Sequence, residues 1–424
     1  MFRIIILLIL AVAALAQERL YVVQSLDESL AEITLESGAV NSHVLDLGYG
    51  CNDVIVHESK LYVTNSGLNT IQEIDAASNV TLREIPVAGG ISPYASAMLN
   101  DDTLAVSNWV SNNVVLIRLS DGATVGDIPV GVAPQGLLVW QDRLFVCLTR
   151  FISVGHYGPG VLMVYDRRTL ALLDSVRVGC NPQMAVWDES NRLHVVCTGD
   201  YEVVGGEVHV VNAATLHTDT VLAVGGSPLT ISLGGGEAFL AAGGWGGGGF
   251  VMSYRRSDLA ILHGQEDPIL TAPGAWDVEA MPDGSFFVSC FASDVVEHRS
   301  SAGTLLDQFA VGDGPGQIAR FVPPSAIPPG PPLLPSEIRI AEVYPNPFNN
   351  SVRLVLSRPT PGVRDIRIYN MLGQQVARIP VGVGTREVAW SPGFDDAKQV
   401  GTGYYLARLG GDAGCSAVRL VYVK

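Results

Sequence analysis

The chain has 424 residues, 48% of them apolar and 16% charged, with a formal net charge of −16. That composition excludes a disordered chain, and without a Lys/Arg cluster to displace counterions it excludes a nucleic-acid binder. The 46 glycines and 24 prolines call for many tight turns, hence short strands rather than long helices.

The chain opens MFRIIILLILAVAALAQER. Arg3 supplies a positive flank, Ile4 to Ala13 a short apolar core, and Ala14-Leu15-Ala16 a small-residue cleavage site, so residues 1–16 read as a signal peptide. No later segment reaches about 18 unbroken apolar residues. Six cysteines in an exported chain leave disulfides open. Cys147, Cys197 and Cys290 lie in apolar strands and read as buried thiols. Cys180 and Cys197 flank one hairpin at nearly opposite positions, which leaves a bridge between them open. Paired-cysteine metal spacing is absent.

From Arg19 onward an apolar strand recurs: RLYVV, KLYVT, TLAVS, RLFVC, RLHVV, AFLAA and SFFVS, at intervals of 40 to 49 residues. A second strand follows each, as in NTIQEID, then a third, as in REIPV. A Gly/Pro turn and a fourth apolar strand complete the unit, as in SPYASAM. Four strands per repeat of roughly 45 residues is the signature of a propeller blade. The repeat region begins on a second-type strand and ends on an inner-type strand, Gln317 to Val322. Seven of each type are present, so the last strand is expected to complete the first blade and close the ring. Residues 17–322 therefore predict a seven-bladed β-propeller.

Tyr62-Val63-Thr64-Asn65 and the turns Val178-Gly179-Cys180-Asn181-Pro182 and Val224-Gly225-Gly226-Ser227-Pro228 resemble the YVTN family of seven-bladed propellers over residues 19–322. The resemblance implies a fold and no particular activity. The sixth repeat, FLAAGGWGGGGFVMSYRR, keeps the pattern without the motif.

Residues 323–337 carry a run of prolines and read as a semi-rigid linker. Residues 338–424 read as seven short strands, RIAEVY, SVRLVLSR, VRDIRIYN, QQVARIPV, REVAWS, GYYLARL and SAVRLVYVK, and predict a small Ig-like β-sandwich. Three blocks stand in order there. They are Tyr344-Pro345-Asn346-Pro347-Phe348-Asn349, then Tyr369-Asn370 with Leu372-Gly373-Gln374, then Gly403-Tyr404-Tyr405. They resemble the type A C-terminal sorting domain of proteins exported by the type IX (Por) secretion system. That resemblance implies the secretion machinery as a partner, and a secreted or outer-membrane-surface location.

In a propeller, loops entering the inner strands and loops between the second and third strands share one face and surround the channel mouth. The inner-strand starts place Asn52, Asp53, Tyr94, Gln135, Asn181, Gln183, Trp276 and Gln317 there. The long loops of blades 4 to 6 add Arg150, His156, Tyr157, Asp200, Tyr201 and Trp245. Aromatic rings beside polar tips suit ligand binding. The expected function is a non-enzymatic, monomeric binding protein with no cofactor. The alternative is a metal-assisted, lactonase-like hydrolase or lyase holding calcium over the channel, though Asp53 and Asp277 make a thin carboxylate set. His156 and His194 are its candidate bases. No nucleophile elbow or phosphate loop is present. Trp140 and Trp187 end inner strands, where packing between blades is expected.

Overall fold

The computed structural model describes residues 17–243 and 248–323, then 340–357, 360, 364–370, 374–392, 400–409 and 418–423. The expected signal peptide, most of the linker and Trp245 lie outside them. Two compact units divide the chain, Met1–Ser325 and Ala326–Lys424. Regular secondary structure in the described residues is β throughout.

The first unit is a seven-bladed propeller of antiparallel sheets, six of them four-stranded and one, blade 6, five-stranded. Blade 2 shows the plan: Cys51–His57, Lys60–Asn65, Thr70–Asp75 and Val80–Pro86 run in order from the channel outward. Blade 1 takes Arg19–Gln24, Ser29–Thr34 and Ala39–Asp46 from the start of the chain. Its inner strand is Pro315–Phe321, paired Arg19 to Phe321 and Val22 to Ile318. The ring is thus closed by strands from both ends of the repeat region. The inner strands touch in cyclic order, blade 7 against blade 1 included.

The apolar runs of the second strands follow from this geometry. A strand inside a stacked blade buries both faces, so alternation gives way to a continuous run. In Lys60–Asn65, Leu61 and Val63 join the core shared with blade 1, while Tyr62 joins the core shared with blade 3. Seven such clusters each lie between two neighbouring blades. The outer strands of blades 2 to 5 and 7 each keep one deeply buried apolar side chain, Ile85, Ile128, Val176, Leu222 and Phe309.

Turn residues lock one blade to the next. Asn69, Asn112 and Asp294 occupy left-handed turn positions (φ 55°, 60° and 54°), which short polar side chains tolerate. Each carboxamide or carboxylate Oδ1 accepts a backbone N–H from the loop entering the next inner strand: Ser92 at 2.7 Å, Ala133 at 2.9 Å and Gly314 at 3.2 Å. In blade 6 the outer position is split between Ile261–His263 and Ile269–Thr271, both paired with Gly249–Arg255. Gly249 is required there, since a Cβ would stand 1.8 Å from the Ala272 carbonyl oxygen.

The second unit is a sandwich. One sheet holds Ile340–Tyr344, Val352–Leu356 and Glu387–Trp390; the other holds Gln375–Val381, Arg364–Asn370, Gly403–Leu409 and Val418–Tyr422. Phe348, Trp390, Tyr405 and Tyr422 pack with aliphatic side chains in its core.

Cys180 and Cys197 are both free thiols, so the bridge left open by their spacing does not form. Burial pushes the Cys147 thiol up to about 12 and the Cys197 thiol well above its ordinary value, as expected for inert core residues.

Candidate functional site at the channel mouth

The start of each inner strand turns from the loop face into the channel, so its first side chains converge on the axis. They wall a cavity of about 990 Å³. Ten of the expected residues line it: Asn52, Asp53, Tyr94, Gln135, Tyr157, Asn181, Gln183, Tyr201, Trp276 and Gln317. Arg150, His156 and Asp200 do not. The Asp200 carboxylate instead accepts the backbone N–H groups of Glu202, Val203 and Val204 and shapes its own loop. His156 is exposed, with Nδ1 3.2 Å from the Val154 carbonyl oxygen.

Rings gather on the side of blades 3 to 5. Trp109 and Phe151 lie 5.2 Å apart centroid to centroid, and Phe151 meets Tyr157 edge-on at 5.6 Å. Tyr94 reaches across blade 4's sector toward blade 5, its hydroxyl 3.5 Å from Gln183 Oε1. Burial, then the neighbouring Tyr201, Asp53 and Tyr157, raises the Tyr94 phenol; burial raises Tyr201 to about 12. Burial raises the Tyr157 phenol as well, so all three stay neutral hydroxyl groups near neutral pH. Across the mouth, Trp276 stacks on Phe291 at 5.0 Å.

Among the described residues, three enclosed polar atoms of lining side chains have no hydrogen-bond partner: Trp109 Nε1, Gln135 Oε1 and Asn181 Nδ2. Gln135 is only 9% exposed, and Asn181 is fully enclosed with its Oδ1 already accepting from Gln183 Nε2 at 2.8 Å. Asn181 Nδ2 faces Tyr201 outside hydrogen-bond geometry. Buried polar atoms left unsatisfied cost about 1–3 kcal/mol each, so a ligand that satisfies them gains affinity.

Deeper in, two carboxylates bind blade to blade. Asp53 Oδ2 accepts Ser96 N–H at 2.8 Å and Oγ–H at 3.1 Å; Asp277 Oδ2 accepts Ile318 N–H at 2.8 Å. Burial outweighs these bonds and raises both to about 6. Glu279 accepts no hydrogen bond among the described residues, and burial followed by the charge of Asp277 raises it to about 7. Among the described residues no three His, Cys, Asp or Glu side chains are grouped to hold a metal ion. The carboxylates stand on blades 2 and 7 with blade 1 between them.

Trp187, expected between blades, is instead 46% exposed and lines the cavity, whereas Trp140 packs in the core of blades 4 and 5. His194 is 0% exposed: Nε2 donates to Asp188 Oδ2 at 3.1 Å and Nδ1 accepts from the Tyr254 hydroxyl at 2.6 Å. Burial lowers its pKa, and Arg192 holds the same carboxylate at 2.7 Å, so it is a neutral pin between blades 5 and 6 and cannot reach a substrate.

Trp109, Phe151 and Glu279 line the cavity without having been expected there. Register gave two usable signals. Trp109 directly follows the second strand of blade 3, as Ser66 does in blade 2, and Glu279 stands two residues after Asp277 on one strand face.

In the second unit the three sequence blocks are structural. Asn346 Nδ2 donates to the Arg419 carbonyl at 2.9 Å and its Oδ1 accepts Val421 N–H at 2.8 Å, seating the Tyr344–Asn349 segment on the last strand. Asn370 and Gln374 close a hairpin by side-chain and backbone bonds of 2.9 Å; Leu372 and Gly373 lie outside the described residues. Tyr405 donates to the Gly401 carbonyl at 2.6 Å, and exposed Tyr404 carries the Arg419 guanidinium 5.7 Å from its ring centre. Pro345, Pro347 and Asn349 are exposed, and Gly403 opens its strand.

Fold and site together define an all-β propeller with a ligand-sized channel cavity, joined to a β-sandwich. Residues 342–424 match the secretion system C-terminal sorting domain family. The chain is therefore a type IX secretion cargo that engages that machinery through its C-terminal domain and is delivered to the cell surface or the extracellular space. No curated protein matches the chain in sequence. Among solved structures it is similar to a functionally unknown protein from Desulfotomaculum acetoxidans, with a TM-score of 0.57 and 14% identity over 72% of this chain and 99% of that one. It is also similar to the hydrazine synthase of Kuenenia stuttgartiensis, with a TM-score of 0.53 and 14% identity over 62% and 88%. At such identity the likeness is one of fold.

Proposed function

We propose that the propeller is a non-enzymatic binding module that acts outside the cell, with its ligand held in the channel mouth. The observation that carries this is the 990 Å³ cavity walled by rings and amides, with Trp109 Nε1 and Gln135 Oε1 buried and unpaired on its surface. A cavity of this size suits a small molecule or the projecting end of a larger one. Around it, Leu26, Tyr49, Leu68, Ile91, Val110 and Ile152 expose apolar side chains on loops of the same face. They would favour a ligand whose outer part is also apolar.

Native mass spectrometry of the mature protein recovered from a secreting cell tests this reading. A non-covalent adduct is expected in the wild type and lost in Trp109→Ala. An adduct that survives Trp109→Ala and Gln135→Leu places the ligand elsewhere and refutes the proposal.

A hydrolase or lyase is favoured by one observation only, the Glu279 carboxyl raised to about 7 and free of hydrogen bonds, where a general base operates. Lactone hydrolysis that falls at least a hundredfold in Glu279→Gln would establish it.

A further inference from the structure

The lining of the channel has a one-sided charge. Asp53, Asp277 and Glu279 reach into it, while no Lys, Arg or His stands among the described lining residues. The nearest cation with an electrostatic effect on Glu279 is Arg320, and Arg320 is committed to Glu18 through two bonds of 3.1 and 2.7 Å. An anionic ligand would enter this cavity against three buried carboxyl groups with no counter-charge. A cation finds them unpaired.

The wall above the acids suits the same chemistry. Ring faces attract cations through their quadrupole, most strongly indole, and Trp109, Phe151, Tyr157, Tyr201 and Tyr94 line one side. Gln135 lines the same wall, and its Oε1 is an enclosed acceptor without a partner. The carboxyl groups are not grouped to hold a metal, but their spread over blades 2 and 7 matches a cation that has length and several N–H donors. Trp109 Nε1 and Asn181 Nδ2 are donors left for an oxygen on the body of the ligand.

We infer that the channel binds an organic cation, an extended amine whose N–H groups are shared between Asp277 and Glu279 on blade 7 and Asp53 on blade 2, with its body lying against the Trp109–Tyr157 wall. This rests on the channel mouth being the binding site. Binding draws the carboxyl groups toward their charged forms, so affinity weakens as pH falls below about 7 and further below about 6. Asp53, Asp277 and Glu279 are the groups that then take up protons; Tyr94 stays neutral across that range, and Arg320 is the cation that acts on Glu279.

Three probes of one length separate charge from shape: 1,6-diaminohexane, 1,6-hexanediol and adipate, titrated into the mature full chain by ligand-observed NMR. The diamine is expected to bind at least tenfold more tightly than the diol, and adipate not at all. Glu279→Gln, which removes no hydrogen bond from the fold, should weaken the diamine about tenfold, and Asp53→Asn, which keeps an acceptor for Ser96, should weaken it further. Equal binding of diol or adipate, abolished by Trp109→Ala, would overturn the cationic class and leave the channel as a binding site. Diamine binding indifferent to Glu279→Gln, or no binding of the diamine, would also overturn it. A neutral or anionic adduct in the native mass spectrum, lost in Trp109→Ala, would do the same while upholding the binding module.

Discussion

Ring closure makes Phe321 a sensitive position, because its contacts are with residues some 300 positions earlier. Its ring is 2% exposed, meets Tyr21 edge-on at 6.3 Å and lies 5.7 Å beneath the Arg19 guanidinium, and its backbone pairs with Arg19. Truncating a buried Phe to Ala costs about 3–5 kcal/mol, transfer and cavity terms together. At roughly 2–4 °C per kcal/mol, the propeller's melting point should fall by about 6–20 °C. Calorimetry of the mature chain, with tryptophan fluorescence to assign the propeller transition, gives the number. Val322, one residue beyond the strand and half exposed, is the control: Val322→Ala should leave the transition in place. If Phe321 ended an open edge strand, its truncation would resemble a surface change. A loss below about 1 kcal/mol would therefore refute closure as the source of stability.

The raised channel carboxyls tie stability to pH. Their folded pKa values of about 6 and 7 lie above the unfolded ones, so the folded state holds more protons between about pH 4 and 7. Propeller stability should fall as pH rises from 5 to 8, and Asp277→Asn should stabilise at pH 8 by on the order of 1–2 kcal/mol relative to pH 5; parallel profiles for variant and wild type in urea unfolding would contradict the linkage. Tyr254→Phe strips the proton donor from buried His194 Nδ1 and should cost about 1–3 kcal/mol, measured by the same unfolding curves. Asn346→Ala breaks both bonds to the last strand and should lower the melting point of the sandwich while the propeller transition stays fixed. A chain ending at Ser325 should fold as a propeller yet remain in the periplasm, and cell fractionation that finds it at the surface would remove the role of the sorting domain in delivery.

Much of the propeller was legible because its signals are local and repeated seven times. Leu61, Tyr62 and Val63 form an unbroken apolar run since both faces of that strand are covered, and the count of inner-type and second-type strands required Gln317 to Val322 to return to blade 1. The seven strands of the sandwich were visible for the same reason, each being a short alternating run between turn residues. The site was legible only as far as register carries. Asn52, Tyr94 and Gln183 sit at equivalent strand starts and so share one rim, but loop residues carry no such rule. Arg150, His156 and Asp200 belong to the same insertions as Tyr157 and Tyr201, yet only the tyrosines turn inward. Whether Trp187 packs or lines, and whether His194 is a base or a pin, depends on which blade lies opposite. The charge of the cavity is likewise a tertiary property. Asp53 and Glu279 are more than two hundred residues apart, and only the closed ring brings them to one cavity, where desolvation raises both pKa values and the charge of Asp277 adds to that of Glu279.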